Sequence, residues 1–244
     1  VEHTDLDPGE LEAWERAANL MYVPYEEELR LYLQDDGFLD LERWDFENTP
    51  PEDYPLLLHY HPLVLYRHQV IKQADVVLAT FLLGDAFSYE DKRRVLDYYD
   101  PLTTSDSSLS ECIQCIMAAE VGDDLRAAEE YFIDAVGIDL ADVAGNVRDG
   151  VHVASAGGTW MALVNGFGGM RERDGCLSFR PRLPRRMKRL AFKVQYRECT
   201  LAVDITEHGA EYELTAGDRM SVVHNGETLS LRRGDMVQRP LLSG

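Results

Sequence analysis

Residues 190–214 read LAFKVQYRECTLAVDITEHGAEYEL. Leu190, Phe192, Val194 and Tyr196 alternate with polar residues, Leu201, Val203 and Ile205 repeat the pattern, and Tyr212 and Leu214 extend it. A period of two lines one face of a half-buried strand. The turn formers in EHGAE, TAGD and HNGE cut the run into short strands. Residues 174–244 are therefore expected to form a small antiparallel β-sheet domain, sandwich-like in architecture.

Working back from Asp174, the period becomes helical, so the expected fold class is α then β, with the boundary at 173/174. PGELEAWERAANLM (8–21) places Pro8 at a helix start and spaces Leu11, Trp14, Ala18 and Met21 along one face. Residues 30–60, including QDDGFLDLERWDFENTPPEDYP, are rich in turn formers and aromatics and read as a long ordered loop. LVLYRHQVIKQADVVLATFLLG (63–84) is apolar nearly all round, the mark of a buried helix stopped at Gly84. Three more helices are expected after Ser88, after a Ser/Asp cap in 105–108, and after Asp123. A last one is expected from about Ala156 to Gly168.

At 244 residues the chain is long enough to bury a substantial core. Its net charge is −20, unevenly placed. Residues 1–170 hold 34 acidic and 10 basic side chains, a balance of −24, whereas residues 171–244 hold 10 and 14, a balance of +4. The acidic total opposes nucleic-acid binding, and the switch in sign lets the two parts attract each other. The basic run RPRLPRRMKRL (180–190) reads as a solvated or interdomain face.

Cys112 and Cys115 stand three apart on one helical face and read as packed, reduced thiols, because no second ligand pair accompanies them. His59, His61 and His68 lack a third ligand at recognisable spacing, so no metal is expected. No apolar run is long enough to span a membrane. A cytoplasmic location is the expectation, and the opening Val1, in place of Met, points to a piece of something longer.

Three segments invite a ligand. DGVHVASAGGTWMALVNGFGG (149–169) sets His152, Ser155, Gly157, Gly158 and Thr159 at a helix start, where unpaired N–H groups and the helix dipole favour an anion. PLTTSDSSLS (101–110) places Thr103, Thr104, Ser105, Ser107 and Ser108 ahead of another helix, more hydroxyls than capping requires. Lys72-Gln73 interrupts an apolar run and must snorkel, pair with an acid such as Asp75, or face a polar cavity. On these residues alone, capping and close helix packing outweigh anion binding for the first segment.

Read in order, VIKQADVVL, YYDPLTTSDSSLS, IDLADVAGNVRDGVHVASAGGTWMALVNGFGGMR and CLSFRPRLP, followed by a small β domain, resemble the C-terminal part of glycoside hydrolase family 65. This is the family of the maltose, kojibiose and trehalose phosphorylases, and the resemblance runs from about residue 30 to 235. It implies the final helices of an (α/α)6 barrel over residues 1–173. It assigns substrate (glucosyl) contacts to Lys72 and Gln73, and inorganic phosphate to Ser107, Ser108, His152, Ser155 and Gly157, with Thr103, Thr104 and Gly158 less firmly placed. Ser105 stands where relatives often have His.

The implied reaction is inverting phosphorolysis of an α-glucoside to a glucose 1-phosphate. Inorganic phosphate is the co-substrate, a disaccharide the substrate, and no cofactor is required. The family's general-acid glutamate belongs to a segment ahead of residue 1, since Glu26, Glu27 and Glu28 match no family motif. The resemblance thus implies no catalytic residue in this chain and a partner in the N-terminal part of the same enzyme; a homodimer stays open. Two alternatives also stay open: a catalytically silent module of a larger protein, for instance fused to a sugar-phosphate phosphatase-type domain, and a trehalose- or kojibiose-type hydrolase. No acid lies between Val151 and Met170, which favours phosphate over a base-activated water.

Overall fold

The computed structural model describes residues 6–104, 107–142 and 145–241. Helix α1 (Pro8–Leu20) starts with a capping box in which Asp7 accepts the Gly9 N–H and Glu10 reaches back to the Asp7 N–H. Trp14 and Met21, on the face read as apolar, are 56% and 69% exposed. The segment expected to be loop contains short paired elements. Strands β1 (Tyr25–Glu26) and β2 (Leu31–Tyr32) form an antiparallel pair. Strand β3 (Glu42–Arg43) runs parallel to β4 (His68–Gln69), with helices α2 (Leu56–His59) and α3 (Pro62–Leu65) between them.

The single buried helix expected over 63–84 is not formed. The chain turns out of α3 at Tyr66, passes through β4, bridges Ile71 to Thr103, and re-enters a helix only at α4 (Asp75–Leu82). A segment that is apolar on all sides carries no period, so pairing with β3 and with residue 103 decides its conformation. Lys72 and Gln73 consequently sit in the loop leading into α4.

Helix α5 (Tyr89–Tyr99) begins at Ser88 with the expected cap, closed by Asp91. Helix α6 (Ser110–Val121) is buried at every position except Glu120. Helix α7 (Arg126–Leu140) starts later than read: Asp124 accepts the Arg126 N–H, whereas Asp123 forms a bidentate pair with Arg93. Helix α8 (Val153–Met161) begins three residues earlier than expected and runs on as a π-helix over Ala162–Phe167. The expected cap residues Ser105 and Asp106 lie outside the described residues.

Hydrogen bonds set the helix directions. Tyr89 at the start of α5 donates to the Val121 carbonyl at the end of α6, and Gln114 of α6 donates to Asp100 just beyond α5, so the two are antiparallel. Thr159 of α8 donates to Ala135, and His152 before α8 meets Asp139 near the end of α7, another antiparallel pair. Gly158 packs on Cys112 and Gly166 on Ile116, so α8 runs with α6. Ser110 meets Lys72 ahead of α4 while Arg171 joins Phe81 to Glu120 at the other end, so α4 runs with them too, the three N-termini at one end.

Eight strands follow: β5 (Arg171–Arg173), β6 (Cys176–Phe179), β7 (Arg189–Tyr196), β8 (Cys199–Thr206), β9 (Gly209–Ala216), β10 (Arg219–His224), β11 (Glu227–Arg232) and β12 (Met236–Arg239). They form two four-stranded sheets, ordered β11-β10-β6-β5 and β12-β9-β8-β7. The alternation read from 190–214 is reproduced in burial, with Leu201, Val203, Ile205, Tyr212 and Leu214 fully covered. One pairing departs from the antiparallel expectation: β6 and β10 are parallel, with Val222, Val223 and His224 opposite Leu177, Ser178 and Phe179.

The sheets face each other through the Phe179 and Tyr212 rings, 5.2 Å apart. His224 joins them: its Nδ1 accepts from the Tyr212 hydroxyl at 2.8 Å, and its Nε2–H donates to the Pro240 carbonyl at 2.9 Å. Burial pushes this imidazole below its ordinary pKa.

The sheet module seats on the C-terminal ends of the parallel helices. Arg171 lies over the Phe81 ring at 4.8 Å, pairs with Glu120 and donates to the Asn165 carbonyl, touching the end of each helix. Arg182, from the basic run, donates to the carbonyls of Ala119, Gly122 and Asp123. Cations placed on exposed helix carbonyls are favourable there.

Candidate functional site

The residues singled out from sequence lie at the opposite end, at the starts of α4, α6 and α8. Ile71 bridges Thr103, which lays the Lys72-Gln73 loop along the hydroxyl-rich loop. The Ser107 hydroxyl donates to Gln73 Oε1 at 2.9 Å and accepts the Leu109 N–H at 3.3 Å. This fixes the Gln73 amide and leaves its NH2 group without a partner among the described residues. Ser110 donates to the Lys72 carbonyl at 3.5 Å, and the Lys72 side chain is exposed with no ion pair among the described residues. The cost of burying a lysine does not arise.

The two loops are thus in contact, and the third segment comes up beside them through helix packing. A Cβ on Gly158 would lie 2.5 Å from Cys112 Sγ, so the second turn of α8 rests directly on the first turn of α6. Gly158 permits that approach. At Gly157 a Cβ would meet nothing within 4 Å, so this glycine opens on free space. Both lie within α8, as the expected helix from about Ala156 implies. The free N–H groups at the start of α8 are those of Val153, Ala154 and Ser155, the first three helical residues.

Ser155 is buried, and its hydroxyl has no partner among the described residues. Ser108 is half-buried and likewise unpartnered there. Thr103 turns its hydroxyl back onto the Tyr99 carbonyl at 2.8 Å.

His152 is held more tightly than its sequence context suggests. Asp139 accepts its backbone N–H at 2.9 Å through Oδ2 and faces ring Nδ1 at 2.6 Å through Oδ1. The hydrogen bond from His152 holds the Asp139 carboxyl below its ordinary range. Asn146 Nδ2 lies 3.4 Å from Nε2. Neither Asp139 nor Asn146 was identified from sequence. The only available signal was a carboxylate near a helix end and an imidazole opening the next helix, 13 residues apart.

The three histidines weighed for a metal serve the local fold: His59 faces Asp53 at 3.7 Å, His61 accepts the Leu63 N–H at the start of α3, and His68 bonds the Val64 carbonyl. Cys112 and Cys115 are buried free thiols on α6, and burial pushes Cys115 up to about 12. No helix among the described residues is long and apolar enough to cross a membrane.

Comparison with known proteins fits this arrangement. Residues 1–161 match the glycosyl hydrolase family 65 central catalytic domain, and residues 170–231 match the glycosyl hydrolase family 65 C-terminal domain. The chain belongs to glycosyl hydrolase family 65. Among its family 65 relatives, an α,α-trehalose phosphorylase from Geobacillus stearothermophilus is 44% identical over 96% of this chain and 30% of its own length. A maltose phosphorylase from Bacillus subtilis is 36% identical over 88% of this chain and 28% of its own.

A solved structure described as a candidate kojibiose phosphorylase from the human microbiome superposes with a TM-score of 0.85 at 27% identity. It covers 96% of this chain and 32% of that one. The chain therefore spans about 30% of the length of the curated relatives it matches. Its helices followed by small sheets match the corresponding part of the solved structure.

Proposed function

We propose that this chain supplies the glucosyl and phosphate contacts of an inverting disaccharide phosphorylase of family 65. The observation that carries the reading is the meeting of three hydroxyl-, amide- and imidazole-bearing segments at the starts of parallel helices, in a chain whose relatives include trehalose and maltose phosphorylases. Two helix starts, α6 and α8, provide backbone donors and the positive ends of their dipoles. Ser107, Ser108, Ser155 and His152 add side chains around them, and Gly157 leaves room for the anion. Lys72 and the free NH2 of Gln73 suit sugar hydroxyls.

In the reaction, a phosphate oxygen attacks the anomeric carbon and the bond to the glycosidic oxygen breaks on the opposite face. A glutamic acid in a part of the barrel that this chain does not span gives its proton to the leaving oxygen. Phosphate replaces the water of an inverting hydrolase, so the site needs fixed donors and no base. The parallel α4, α6 and α8 with antiparallel α5 and α7 between them support the (α/α)6 reading for the helical part, expected over residues 1–173; β5 moves the start of the sheet domain from the expected residue 174 to 171. A cytoplasmic location and a homodimer belong to the same proposal.

The test is phosphate-dependent release of glucose 1-phosphate from maltose, trehalose and kojibiose by the full-length protein. Release that needs phosphate, and falls in His152→Ala and Lys72→Ala, is the expected result. Glucose formed equally without phosphate would replace the reading with hydrolysis, and wild-type rates in both variants would remove the site assignment.

A further inference from the structure

We infer that Asp139 is a positioning residue that fixes the tautomer and direction of His152, so that Nε2 is the ring atom presented to phosphate; this rests on the phosphorylase reading above. One carboxylate takes two N–H groups of the same residue: the backbone N–H at 2.9 Å and ring Nδ1 at 2.6 Å. A carboxylate accepts only, so Nδ1 carries the proton whatever the charge of the ring. The backbone contact fixes where the residue begins and the ring contact fixes where its plane points. Together they leave His152 little rotamer freedom at the entrance to α8.

Asp139 stands in the last turn of α7, and the antiparallel α7–α8 pairing delivers it there. Nε2 is left facing Asn146 Nδ2 at 3.4 Å, a long contact that a ligand oxygen can replace. The Asn146 Oδ1 is buried without a partner, so this amide has an acceptor still to be satisfied. A monohydrogen phosphate meets both needs. It offers its hydroxyl to Nε2 when the ring is neutral; when the ring carries both protons it offers an oxygen to Nε2–H, and its hydroxyl is then free for Asn146 Oδ1. Of the other charges close by in sequence, Asp142 accepts the Val147 N–H at 3.0 Å, and Arg148 and Asp149 pair with each other at 3.8 Å and are exposed.

The experiment compares wild-type full-length protein with Asp139→Asn and His152→Gln, measuring KM for phosphate, KM for disaccharide and thermal stability. Asp139→Asn is expected to raise the phosphate KM about tenfold, the scale of a lost charge-assisted hydrogen bond, with the disaccharide KM unchanged. Loss of thermal stability with both KM values unchanged would overturn the inference.

A second measurement stands even where Asp139→Asn fails to fold. In 15N-histidine-labelled wild-type protein, the His152 resonances, assigned by their loss in His152→Gln, should show a protonated Nδ1 and a shift of Nε2 on adding inorganic phosphate. A bare Nδ1 or an unmoved Nε2 would overturn it. An unchanged phosphate KM in His152→Gln would instead remove the phosphate site itself. A raised KM in His152→Gln alone, with Asp139→Asn at wild-type values, removes only the role of Asp139.

Discussion

At their C-terminal ends, α4, α6 and the continuation of α8 meet Arg171, Lys92 and Arg182; at their N-terminal ends they meet Gln73, Ser107 and His152. The first end is filled. Glu120 receives Lys92 at 2.7 Å and Arg171 on its other oxygen, and Arg182 covers the last carbonyls of α6. Burial alone would raise the Glu120 carboxyl, but the charges of Arg171 and Lys92 and their hydrogen bonds hold it below its ordinary value. At the second end each contact leaves capacity over: Gln73 keeps its NH2 donors, Ser155 its hydroxyl, and α8 its first N–H groups. The same bundle is thus sealed where the sheets dock and open where its dipoles favour an anion, which separates the groups that hold the fold from those free to bind.

Arg171→Ala leaves Glu120 with Lys92 as its partner in a buried setting and is expected to cost about 2–3 kcal/mol, the upper range for losing a hydrogen bond to a charged group. Denaturant unfolding measures it; a loss under about 1 kcal/mol would mean the sealed end contributes little. From the open side, His152→Ala should reduce the phosphorolysis rate at low phosphate about a hundredfold, as for a lost transition-state donor, with little change in unfolding midpoint. A variant that unfolds early would place His152 with the structural end.

Gly157 and Gly158 sharpen the contrast within one helix. Gly158→Ala drives a methyl into Cys112 and should destabilise by about 1–3 kcal/mol. Gly157→Ala meets only free space and should stabilise the helix by about 0.5–1 kcal/mol while weakening phosphate binding. Equal unfolding midpoints for the two would contradict the packing described.

A smaller effect belongs to the sheets. The His224 imidazole has a folded-state pKa below its unfolded one, so its contribution is present above the unfolded value of about 6.5 and is lost as pH falls through the folded one. Thermal scans from pH 8 to 5 should show a decline that His224→Gln removes.

What could be read from residues alone follows from how local its cause is. The 190–214 alternation, the Asn225-Gly226 turn and the Ser88 cap were legible, because period, left-handed backbone and a capping hydroxyl are set within a few residues. Arg197-Glu198 makes an equally tight hairpin with φ of 46° and 65°, yet neither residue advertises it; the strand pairing on both sides imposes the turn. The break between α3 and α4 was illegible for the same reason, since its cause is β3 and residue 103, far away in sequence. Of the candidate site, the hydroxyls and the imidazole stood out as residue types. Asp139 did not, because a carboxylate in a chain with 44 of them carries no mark until the α7–α8 pairing selects it.

The π-helix over Ala162–Phe167 has a consequence for how this chain tolerates change in length. Each residue of a helix turns its neighbours by about 100°, and a π turn is an α turn holding one residue too many. Deleting a single residue between 162 and 167 would let an ordinary α turn cover the same rotation, so Arg171 would still reach Glu120 and the Phe81 ring. The irregularity therefore acts as a store of one spare residue, taking up a difference in length between the two halves of the chain without turning one against the other.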